Sequence, residues 1–347
     1  MKYLYPTLAA SLIATALTGC FDSSSNDQPK TTPVTLSVTD APVDEMEKVV
    51  VAYSKVAFLP LDGSKPILFD VYQKDEQGNY VDDNGAPLAE GEQPLAMRVD
   101  LLQYQGQLVK PLVEQQEIPV GDYKLCVFAH DGNHPDRASY VQDSVNQSQY
   151  PLTVKGDGKC PQGVGELPDA GVLYFNKTFT VNAQNNDFVL DFDLRRGLKE
   201  DTTVPDSYSI QRTSVSLINS VTTAELTGSV DPATFNDCEL NTPSNNGFAH
   251  AVYLYPGDVA MADMGTFAGT GSVAPIAAAN VQEISGDEGS SYQFGFGHLA
   301  AGSYTLGYTC SANDDSEEGI VEGETFAINQ ASDAIALAAG DAKSYSF

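Results

Sequence analysis

Period-two alternation, rather than helical periodicity, governs this chain. Val34-Thr-Leu-Ser-Val-Thr39 places apolar residues on one side and polar ones on the other, the mark of a half-buried strand, and Asp40-Ala-Pro42 stops it. Further strands are expected at Lys48–Phe58, Leu95–Leu102, Tyr123–Ala129, Gln149–Val154, Leu173–Val181 and Phe188–Leu194. Asp75-Glu-Gln-Gly78 and Asp82-Asp-Asn-Gly85 between them read as hairpin turns, because Gly and Asn tolerate positive φ. Helical patterning is nearly absent. Many short strands at turn-punctuated spacing predict an all-β fold of two tandem antiparallel β-sandwich domains.

The N-terminus carries an address. Met1-Lys2 is a minimal positive start, and Tyr3 to Leu17 is an apolar run too short to span a bilayer comfortably. Leu17-Thr-Gly-Cys20 then looks like a bacterial lipobox, in which cleavage precedes a lipid-modified (diacylglyceryl, palmitate-bearing) cysteine. Residues 1–19 are therefore expected to be a cleaved lipoprotein signal peptide, and residues 20–33 a lipidated Cys20 on a flexible polar stalk. Two folded units follow, at 34–221 and 222–347. In the proteobacterial lipoproteins this segment resembles, Asp after the anchor favours inner-membrane retention, so with Phe21 there the resemblance implies an outer-membrane lipoprotein on the periplasmic face or cell surface.

Charge removes one partner class. With 47 acidic against 18 basic residues the net charge is −29, which repels phosphates and argues against nucleic acid. The acidity reads either as a mutually repelling soluble surface or as divalent-cation capture. Oxygen-rich loops at Asp131-Gly-Asn-His-Pro-Asp136 and Asn313-Asp-Asp-Ser-Glu-Glu318 are the candidate calcium sites, with Asp131, Asn133, Asp136, Asp314, Asp315 and Glu317 as ligands. No other cofactor is expected. Once Cys20 is lipidated, Cys126, Cys160, Cys238 and Cys310 form an even, exported set. Of three connectivities, Cys126–Cys160 and Cys238–Cys310 keep each bridge inside one domain. The absence of any CxxC argues against a four-cysteine metal site.

Motifs with a mechanism are missing. There is no HExxH among the four histidines, His130, His134, His250 and His298, no Gly-x-Ser-x-Gly, no Walker loop and no Gly-x-Gly-x-x-Gly after a strand. The chain reads as non-enzymatic. Phe188, Leu190, Phe192 and Leu194 are expected on one strand face, with Asp191, Asp193 and Arg195 on the other as a polar ligand row or an exposed salt-bridged ladder.

Val34-Thr-Leu-Ser-Val-Thr-Asp-Ala-Pro-Val-Asp44, Ile118-Pro-Val-Gly-Asp-Tyr-Lys-Leu125 and Val189-Leu-Asp-Phe-Asp-Leu-Arg-Arg196 followed by Tyr208 together resemble the DUF4382 domain of bacterial and archaeal lipoproteins, over about residues 34 to 221. That family has no established activity, so the resemblance implies architecture and carries over no catalytic residue. Leu299-Ala-Ala-Gly-Ser-Tyr-Thr-Leu306 echoes Ile118–Leu125, and its Gly-x-Tyr-x-Leu is similar to transthyretin-like, carboxypeptidase-regulatory-like and starch-binding-like sandwiches. The second unit should begin with Leu226–Val230 and His250–Tyr255 and close with strands at Val321–Ile328 and Ile335–Leu337.

The function expected is a non-catalytic envelope lipoprotein binding a glycan or protein partner. Its rivals are a carboxylate hydrolase with a cleft between the domains and a purely structural role. Sugar platforms favour Trp, which is absent, although 17 Tyr and 15 Phe are present. The sequence leaves the oligomeric state open.

Overall fold

The computed structural model describes residues 30–41, 46–134, 137–156, 158–184, 186–201, 203–243, 247–267, 273–286, 289–316, 319–320 and 326–347. The lipobox and Cys20 lie outside the described residues. The hydrophobic interior breaks in two, one cluster running from Val34 to Val215 and another beginning at Ala224.

In the first unit a four-stranded sheet, ordered Val215–Asn219, Asp187–Asp193, Thr31–Ala41, Lys110–Pro119, faces a nine-stranded sheet built around Met46–Pro60 and Gly121–His130. The predicted alternation fills the space between them. Val34, Leu36 and Val38 from one sheet and Val49, Val51, Tyr53, Val56 and Phe58 from the other are all buried. The Asp75 and Asp82 turns form as expected, with Gly78 at φ 83° and Gly85 at φ 78°. Each Asp Oδ1 accepts two downstream backbone N–H groups, which locks the hairpin bend.

The second unit repeats the plan with a four-stranded and a five-stranded sheet. Three of its features differ from expectation. Residues 326–328 are not in a strand, and 321–325 lie outside the described residues. A helix spans Pro232–Asn241, started by Asp231, whose side chain accepts from Ala233 N, and by Pro at the first helical position. The pairing is not antiparallel throughout. Thr31–Ala41 runs parallel to Asp187–Asp193, and Ala224–Val230 runs parallel to Ala342–Ser346. In both units, then, the opening strand is closed by a strand from late in the same unit, which ties the ends of each sandwich together.

The eight-residue echo has one geometry in both places. Tyr123 Oη donates to Pro119 O at 2.7 Å, and Tyr304 Oη donates to Ala300 O at 2.7 Å. Each ring sits under the turn it closes, a tyrosine corner at the start of a core strand. The glycine two residues earlier, Gly121 or Gly302, does not have positive φ. At Gly302 an added Cβ would stand 3.3 Å from Tyr304 Oη, so glycine makes room for the ring.

Disulfides join Cys126 to Cys160 and Cys238 to Cys310. The second pins the Pro232–Asn241 helix to the end of the Gly302–Thr309 strand. Beside it, Phe235 stacks on His250 with centroids 3.5 Å apart, and His250 bridges Glu239 and Tyr308.

Candidate functional site

The polar row predicted on the Phe188 strand lies at the junction of the two sandwiches. Phe188, Leu190, Phe192 and Leu194 are buried in the first core, as alternation requires. The opposite face is turned toward the second unit, and a solvent-accessible cleft of about 780 Å³ lies between them. Its floor is one rung of the four-stranded sheet. Thr39 pairs with Asp191 and Asp191 with Ser216, and because paired residues share a face, all three side chains point into the cleft.

Arg195 does not belong to that row. The strand ends at Asp193, whose Oδ1 accepts from Arg196 N, and a helical turn over Leu194–Gly197 rotates Arg195 out of register. Its guanidinium reaches the second unit instead, with Nη2 donating to Asn280 Oδ1 at 2.9 Å and Nη1 to Ala312 O at 3.2 Å. Through these two bonds Arg195 forms a strut between the two units. Gln282 Nε2 donates to Gln105 Oε1 at 3.1 Å on the far side of the same junction. There the backbones approach so closely that a Cβ on Gly297 would stand 2.1 Å from Gly106 O, and Gly106 itself has φ +64°.

Asp191 is the singular group of the cleft. Among the described residues its carboxyl accepts no hydrogen bond, although the residue is half-buried. Burial, and then the neighbouring Asp193 carboxylate, push its pKa up to about 7. Asp40, one place after Thr39 on the adjacent strand, faces the other way. It pairs with the core residue Phe192, is buried, and helps raise the pKa of the buried Tyr53 hydroxyl. The two carboxylates closest in strand position therefore stand on opposite faces of one sheet.

The proposed calcium ligands are dispersed. Asp136 and Glu317 lie outside the described residues. Asp131 is half-buried, its pKa raised by burial and by Asp169, whereas Asn133 is exposed. Asp314 and Asp315 are buried; Asp315 Oδ2 accepts from Phe267 N, and Asn313 Nδ2 donates to Gly247 O. Among the described residues no three His, Cys, Asp or Glu side chains are grouped to hold a metal. His130 and His134 stack with centroids 3.8 Å apart, and His134 Nδ1 accepts from Arg137 N. No described helix is long and apolar enough to cross a membrane.

Sequence reasoning placed Asp191 but missed Thr39, Ser216, Gln105 and Asn280 around it. Nothing local marks these residues, since the cleft is made by docking one unit on another.

The family model of DUF4382, a domain of unknown function, matches residues 31–211. No curated protein matches the sequence. A candidate cell adhesion protein from Bacteroides fragilis superposes over 90% of this chain and 92% of its own, with 9% identity and a TM-score of 0.22. A candidate adhesin from Bacteroides ovatus covers 87% and 86%, with 12% identity and a TM-score of 0.19. Superpositions this loose establish neither a shared fold nor a shared activity.

Proposed function

The chain belongs to the DUF4382 family, and we propose that it is a non-catalytic, lipid-anchored envelope protein that binds its ligand in the cleft between the two sandwiches. One observation carries this reading: Asp191 presents a half-buried carboxyl, with its pKa raised by burial and by Asp193, to the floor of that cleft. Holding a carboxyl where ionisation is disfavoured costs folding free energy, so a group kept there points to a use other than folding.

Binding is favoured over hydrolysis because no motif with a catalytic mechanism accompanies the cleft carboxyls of Asp191 and Glu225, and Asp40 pairs with the core residue Phe192. Lipidation at Cys20 would hold the sandwiches at the outer membrane, with the polar stalk setting their distance from it.

Two variants test the reading. Cys20→Ser should move the protein from the membrane fraction to the soluble fraction. The released protein should then bind isolated envelopes, and Ser216→Trp should abolish that binding, because Ser216 is exposed beside Asp191 and a large ring there fills the cleft without entering the core. Envelope binding unchanged by Ser216→Trp would refute the cleft as the binding surface.

A further inference from the structure

The chemistry lining the cleft narrows the ligand. Its walls include Asp40, Asp191 and Glu225, yet no lysine or arginine. In a chain of net charge −29, such a site repels phosphates, sulfates, nucleotides and acidic sugars. The remaining polar surface is dominated by amides: Gln105, Gln107, Asn219, Asn280, Gln282 and Gln293. Each amide carries a donor and an acceptor. Asn280 Oδ1 is taken by Arg195, Gln105 Oε1 by Gln282 Nε2 and Asn219 Oδ1 by Val221 N, and Gln293 Nε2 donates to Ser291 Oγ. That leaves Gln107 and the complementary half of the others for ligand hydroxyls.

Apolar walls complete the site. Ile276 and Ile284 line the cleft although they are 43% and 47% exposed, so neither is accounted for by the core. Small ligand sites combine such walls with a few convergent polar groups. A sugar ring presents the matching surface, with C–H groups on its faces and hydroxyls around its edge. A cationic amine would be served by the carboxyls alone and would leave the open amide groups without a ligand partner.

Resting on the reading of the cleft as the binding surface, we infer that its ligand is a neutral saccharide whose hydroxyl groups are anchored by Asp191. Two vicinal hydroxyls hydrogen-bond the two carboxyl oxygens, and the open amide groups of the opposite wall take the outer hydroxyls. No covalent step is involved.

The test uses the mature chain released by Cys20→Ser, with Asp191→Asn and Ser216→Trp made in that background. Each protein is applied to an array of neutral and acidic oligosaccharides and titrated calorimetrically with spermidine. Circular dichroism melts show that each variant is folded. The expected result is binding to neutral glycans, weakened about tenfold or more by Asp191→Asn and lost in Ser216→Trp, with any spermidine heat unchanged by Ser216→Trp. Binding confined to acidic glycans, or spermidine binding abolished by Ser216→Trp, would overturn the saccharide assignment while leaving the cleft as the site. Neutral-glycan binding indifferent to both substitutions would overturn the cleft as well. Failure of every glycan on the array would overturn the saccharide assignment alone, since binding to envelopes is measured separately.

Discussion

Arg195 Nη2 donates to Asn280 Oδ1 at 2.9 Å, and this bond joins a helical turn of the first sandwich to an edge strand of the second. The same guanidinium also reaches Ala312 O. Arg195→Ala should therefore weaken the coupling between units more than the stability of either. Bonds to a charged donor are worth about 1.5–3 kcal/mol, so the loss should be visible calorimetrically. The expected outcome is a melt that separates into two transitions; a single transition displaced as a whole would assign Arg195 a purely local role.

The twin tyrosine corners make a second prediction. Tyr123→Phe and Tyr304→Phe each delete one hydrogen bond to the backbone four residues back and leave the ring in place. Each should cost about 0.5–1.5 kcal/mol in urea unfolding. Because they lie in separate cores, the double variant should equal the sum within a few tenths of a kcal/mol. Strong non-additivity would mean that the two cores unfold as one.

How much of this was legible in the sequence depends on the distance over which each feature is determined. The Phe188–Phe192 core face and the Asp75 and Asp82 turns are local, and alternation and turn chemistry are enough to place them. Arg195 was misplaced because nothing in the pattern shows that Asp193 caps a helical turn through Arg196 N and so ends the strand. The Pro232–Asn241 helix has a readable start in Asp231-Pro232. It has no amphipathic stripe, since the disulfide and the stacking of Phe235 on His250 hold it in place. The cleft was beyond reach, because Thr39, Asp191 and Ser216 come from three strands far apart in sequence and the opposing wall belongs to the other unit.

Disulfide mapping tests the pairing. Non-reducing peptide analysis should link Cys126 with Cys160 and Cys238 with Cys310. Removing either bridge should cost about 2–5 kcal/mol. In the chain-entropy view the second costs somewhat more, because 72 residues separate its ends against 34. A larger loss from opening Cys126–Cys160 would show that local packing outweighs loop entropy.

His250 should give the second unit a pH dependence. Burial lowers its pKa and outweighs the Glu239 carboxylate 3.1 Å away, which acts in the opposite direction. The folded state thus holds the ring neutral, while the unfolded chain protonates near about pH 6.5. The stabilising contribution is present above that pH and is lost as pH falls below it through the lower folded-state value. His250→Gln should flatten the difference between melts at pH 7.5 and pH 5; an unchanged difference would place the dependence on other groups.

Asp191 sets stability against binding, and Asp191→Asn measures both at once. The carboxyl titrates near pH 7 in the fold and near about 3.9 when unfolded, so it is neutral in the native state at pH 5 and increasingly charged, at a cost, toward pH 8. The substitution should stabilise the protein at pH 8 by on the order of 2–4 kcal/mol, with the gain shrinking toward pH 5. In parallel it should weaken binding of the released protein to isolated envelopes. A variant that is more stable at pH 8 and binds worse is what the cleft account predicts. A variant that is less stable at pH 8, or that binds envelopes as tightly as the parent, would contradict it.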